Sequence, residues 1–238
     1  MMERPGQEHP LKDAIVATDP GTARPELERR LAADRQRLDA LEGQDQPVER
    51  ARLELDMGST LFQLGRPEEA WSAGERAFQA FIAHQEWAGA VASCDLMYEA
   101  DQPGSLAALG NGIWLGVTFP VPPQLSIDML HHIVEETPAH SDGAAVAAVM
   151  AHYIADLRAE GQEREDLRLL TSQVVAQVAK RHRGMEDAEG VAIWIEVLQL
   201  NDVPELLNRL GKMLEVIVDG QWWVDRDELR SRLPEEQP

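Results

Sequence analysis

The chain has 238 residues, with 22 Lys or Arg against 42 Asp or Glu, a formal charge of −20. At 44% hydrophobic and 27% charged residues it has a globular composition, not a disordered one. That charge excludes a general nucleic-acid binder, whose affinity comes from cations neutralising phosphates, and argues against an anionic membrane surface. The longest purely apolar run, Ala144 to Ala151, falls far short of the roughly 20 residues that span a bilayer. Met1-Met2-Glu3-Arg4-Pro5 is followed by no apolar stretch of a signal peptide, and Cys94 is the single cysteine, so the expectation is a cytoplasmic protein without internal disulfides.

Residues 1–22, rich in Pro and Gly, read as a tail. Helical periodicity then continues almost throughout. Leu27, Leu31, Leu38 and Leu41 share one face of a segment ending at Gly43, and Leu53, Met57, Leu61 and Leu64 form a stripe ended by Gly65. A third helix begins at Pro67 with Ala70, Gly74, Ala77 and Phe81, a fourth runs from Glu86 to about Ala100, and a fifth follows Ser105 with Leu106, Leu109 and Ile113 inward. Phe119-Pro120-Val121-Pro122-Pro123 is the clearest break, since proline cannot continue a helix. Beyond it come helices on Ile127, Leu130 and Val134; on Ala147, Met150, Ile154 and Leu157, capped by Ser141 or Asp142; on Leu167, Leu170, Val174 and Val178; on Val191, Trp194 and Leu198; and on Leu206, Leu210, Met213 and Ile217, ending at Gly220. A short amphipathic piece, Val224 to Leu233, follows. The expectation is all-α: antiparallel helix pairs over 23–119, continuing as further pairs with a C-terminal cap over 120–238, either as an α-solenoid or as a closed helical bundle.

Residues 51–84 carry Met57-Gly58 and Leu61-Phe62 on one helix, Gly65 at the turn, and Glu69-Ala70 and Ala77-Phe78 on the next. This segment resembles a tetratricopeptide repeat, the helix-turn-helix unit of about 34 residues. Gly58 and Ala70 are small where the two helices cross, Gly65 suits a left-handed turn, and Ala77 makes room for the following helix. Glu54 stands where the family has a bulky apolar residue, and Ile82 where a proline often closes the unit, so the second helix is expected to run on to about Gln85. The segment 85–118 reads as a degenerate second unit with no glycine turn at the matching offset. The resemblance implies a TPR-like solenoid that binds a peptide or partner helix in a groove over residues 48–118 and acts as an adaptor, scaffold or assembly chaperone, not as an enzyme.

The densest polar constellation is His131, His132, Glu135, Glu136 and His140. His131 with Glu135, and His132 with Glu136, lie four apart on one helix face and would chelate a divalent metal given a third ligand such as His152 or Asp142. Against this stands a solvated helix end where the dipole favours histidine. Cys94 lies inside a helical pattern and reads as a small core residue before it reads as a nucleophile. Gly110, Gly112 and Gly116 follow no strand and no Lys-Ser/Thr ends their run, so they mark a closely crossed or broken helix, not a phosphate loop. Adjacent Trp222 and Trp223 either plug the core's end or leave one indole exposed as an anchor.

Glu54, Trp87, Trp222 and Trp223 are therefore the expected partner contacts, the partner being a protein or peptide, possibly basic. No cofactor, nucleic acid or membrane is expected. The alternative is a metal-binding helical enzyme or metalloenzyme accessory protein built on His131, His132, Glu135 and His152.

Overall fold

Three of the turns between helices are built alike. After α2 (Pro47–Gln63), Arg66 N–H donates to the Leu61 carbonyl at 3.0 Å and Gly65 N–H to Phe62 at 2.9 Å, with Gly65 at φ +74°. This is the Schellman closure, which satisfies the helix's last carbonyls. After α3 (Pro67–Ala83), Gln85 takes that role at φ +58°. After α9 (Ala188–Val197), Gln199 takes it at φ +56°. The first two reverse the chain in three residues, so α3 packs on α2 and α4 (Trp87–Glu99) on α3.

The computed structural model describes residues 20–139 and 141–233. Among them are eleven helices and no strand: α1 (Pro20–Ala40), α2, α3, α4 (Trp87–Glu99), α5 (Ser105–Thr118), α6 (Pro123–Glu136), α7 (Gly143–Arg158), α8 (Gly161–Arg183), α9, α10 (Val203–Val218) and α11 (Arg226–Ser231). The fold is all-α and solenoid-like. Each helix from α1 to α8 packs on the next, and α2, α4 and α6 also lie side by side. The chain then turns back, and α10 packs on α5 and α7. One core cluster includes Phe78, Leu109, Met129, Met150, Leu206 and Leu229, so it spans both expected segments. A smaller one joins Leu31 of α1 to Met57, Leu61, Ala70 and Leu96. The expected tail lies outside the described residues except for 20–22, which open α1.

Close approach explains the small residues. A Cβ on Gly58 would sit 3.2 Å from Ala73 Cβ and 2.6 Å from Leu96 Cδ2, where α2, α3 and α4 meet. The glycine-rich stretch forms an unbroken helix, α5, buried from Ala107 to Gly116. A Cβ on Gly110 would run into Val218 of α10, and one on Gly112 into Met129 of α6 and Cys94 of α4.

Several expected stripes are rotated. Leu157 of α7 is 62% exposed, because Arg158 takes the inward place. Its Nη1 donates to the Gly116 carbonyl and its Nη2 to that of Val117, both at 2.6 Å, so a guanidinium satisfies the end of α5. In α8, Leu170 is exposed while Thr171 and His182 are buried; the Thr171 hydroxyl donates to the Leu167 carbonyl at 2.7 Å. In α10 the buried pair is Leu214 and Val218, with Met213 and Ile217 half-buried. In α5, Leu106 faces outward. Helix α3 stops at Ala83, two residues short of Gln85, because Gln85 itself adopts the left-handed turn.

Candidate functional site

Helices α4 and α6 lie side by side, and their polar residues recur at helical spacing: Asp95, Tyr98 and Glu99 on α4, and Asp128, His131, His132 and Glu135 on α6. The pairing joins the two sets. His132 Nε2 donates to Asp95 Oδ1 at 2.8 Å, and the Tyr98 ring lies over the His132 ring with centroids 4.6 Å apart and planes tilted 49°. His131 Nε2 is 3.5 Å from Glu135 Oε1, and Gln124 donates to Asp128 at 2.6 Å.

The electrostatics of this face are one-sided. Burial pushes the Tyr98 hydroxyl up to about 12, and the charges of Glu136, Glu135, Asp101 and Asp95 add to the shift. Burial alone would lower His132, but its bond to Asp95 and the charges of Asp95, Glu99 and Glu135 overcome this and raise it. The Asp128 carboxyl is raised, chiefly by burial, with a bond from Gln124 opposing and the charge of Asp95 assisting. Acids from two helices and the following turn thus converge on a histidine–tyrosine pair. Tyr98 keeps its proton at neutral pH, and Cys94 is fully buried with its thiol pushed up by that burial.

The metal set is not brought together. His132 is engaged with Asp95, and His152 sits on α7 with Nδ1 2.9 Å from the Thr171 hydroxyl of α8. Among the described residues no three His, Cys, Asp or Glu side chains are placed to hold a metal ion. His140 lies outside the described residues. Asp142 gives its carboxylate to Arg183 at 2.7 Å.

Of the four expected partner contacts, Trp87 opens α4, Glu54 sits on α2, and Trp222 and Trp223 follow α10. Glu54 is paired with Arg76 of α3 at 2.6 Å. Trp87 stacks on Phe119 with centroids 3.9 Å apart. Trp222 donates to Glu215 at 3.1 Å, with the Arg226 guanidinium 3.8 Å above its ring. Trp223 meets Phe78 edge-on at 5.4 Å and Trp71 at 6.2 Å. Both C-terminal indoles are half-buried and fasten the returning chain to α3 and α5. Trp223 and Arg76 also border an open depression of about 470 Å³ floored by Phe78 and Met97.

Sequence reasoning missed Asp95, Tyr98 and Asp128. The 95/98/99 and 128/131/132/135 spacings were readable, but not that two helices a whole hairpin apart lie side by side. Comparison with known protein families, with curated proteins and with solved structures returns no match to this chain. No helix among the described residues is long and apolar enough to cross a membrane.

Proposed function

We propose that this chain is a TPR-like cytoplasmic interaction module, not an enzyme, and that it binds a basic peptide or helix across the α4–α6 face. One observation carries the reading: Asp95 of α4 bonds His132 of α6 beneath the Tyr98 ring while Glu135 reaches His131 on the same helix, so acids that are scattered in the sequence are gathered around an aromatic centre. The Tyr98 ring offers a face to a Lys or Arg side chain, and the surrounding carboxylates supply partner choice and association rate. An adaptor, scaffold or assembly chaperone needs no more chemistry than this.

Titration of a Lys/Arg-rich peptide, followed by amide chemical-shift changes, tests the proposal. Perturbations confined to α4 and α6, and lost in Asp95→Lys with Glu135→Lys, are the expected result. Shifts scattered over the surface overturn it. Stoichiometric metal in untagged protein, lost in His132→Ala, would support the metal alternative instead.

A further inference from the structure

Helix α9 has the wrong composition for its surroundings. Its sequence, AEGVAIWIEV, is apolar apart from Glu189 and Glu196, which share one side, leaving an apolar arc wider than one neighbouring helix can cover. Yet it packs on α8 alone to any extent, and Trp194 is its one buried residue. Ile193 is 54% and Val197 73% exposed. They lie between Trp194 and the side that carries Glu189 and Glu196, so the four exposed residues form one strip, and neither glutamate has an ionic partner among the described residues. On the side of α9 that meets α8, away from the strip, an open depression of about 370 Å³ is lined by Ala176, Gln177, Lys180, Met185, Glu186 and Val191.

The charge settles which occupant fits. A second copy docking through the same strip would bring Glu189 and Glu196 against themselves, on a chain that already carries −20. A partner with apolar side chains along one face and Lys or Arg beside them meets both features at once. We infer that α9 is a second docking surface, which takes a basic amphipathic helix of another protein with Ile193 and Val197 as its apolar contacts.

The test uses the full chain and two fluorescent peptides patterned as amphipathic helices, one of Leu and Lys, the other of Leu and Glu. The Leu–Lys peptide is expected to bind and the Leu–Glu peptide not. Ile193→Glu with Val197→Glu should weaken binding about tenfold or more, while Leu106→Glu, at an exposed apolar position on α5, should not. Glu189→Lys with Glu196→Lys leaves the apolar contacts intact and should transfer preference to the Leu–Glu peptide, so loss of folding cannot mimic it. Absence of Leu–Lys binding, or affinity unchanged by both α9 variants, overturns the inference. So does a dimer in light scattering that Val197→Glu dissolves. Loss in Asp95→Lys alone places the peptide on the α4–α6 face, overturning this surface and leaving the first proposal standing.

Discussion

His132 is held between opposing influences. Burial disfavours its cation, and Asp95 with its acidic neighbours favours it more strongly, so its folded-state value lies above the ordinary 6.5. The sign of the linkage follows. The folded state binds the proton more tightly than the unfolded one, so the pair's contribution is fully present below about pH 6.5 and is lost as pH rises through the raised value. His152 runs the other way: burial, then the charge of Arg168, lowers it, so its contribution is present above about pH 6.5 and lost as pH falls toward the lowered value. Asp95→Asn is therefore expected to cost more stability at pH 5.5 than at pH 8.5, and His152→Gln to relieve part of the acid destabilisation. Urea unfolding at the two pH values checks both; an Asp95→Asn penalty that grows with pH contradicts the assignment. The helical face bearing His132 was legible in the sequence. Its partner Asp95 was not, because pairing across 37 residues depends on topology, not periodicity.

At the scale of helices, the same residue type plays opposite parts. Gly112 faces Cys94 Cβ, which cannot rotate aside, so Gly112→Ala should cost about 1–2 kcal/mol despite its gain in helix propensity. Gly211, inside α10, has open space around its Cα, and Gly211→Ala should stabilise by about 0.5–1 kcal/mol. Thermal unfolding of the two variants tests this, and shifts of the same sign would refute the account. Nearly all the helices were readable from stripes and breakers. The inward faces were harder, because inward places go to the polar residues Arg158, Thr171 and His182, whose bonds run to the carbonyls of α5, to the preceding turn of their own helix, or to a neighbouring side chain. The turn after α3 was illegible for a related reason. Gln85 stands where the pattern leads one to look for glycine, and the helix stops there because its carbonyl ends are satisfied, not because of residue type.

For the whole molecule, the decisive link is Asn111. This fully buried side chain accepts from Trp223 N–H at 3.0 Å and donates to the Gln221 carbonyl at 3.2 Å, tying α5 to chain some 110 residues later. Asn111→Ala leaves two backbone groups without partners and should cost about 2–3 kcal/mol. Amide exchange gives the sharper readout. α3, α5 and α10 are expected to open together in the wild type and separately in the variant; separate opening in the wild type would show that the link is not structural. A repeat array stacked only on its neighbours can fray from either end. Here the aromatic surface of Trp71, Phe78 and Trp114 is covered by residues translated much later. At ordinary synthesis rates the ribosome takes on the order of 10 s to add that stretch. During that interval the nascent chain shows a sticky, half-finished flank, which makes it a natural client for the chaperones that wait at the exit tunnel.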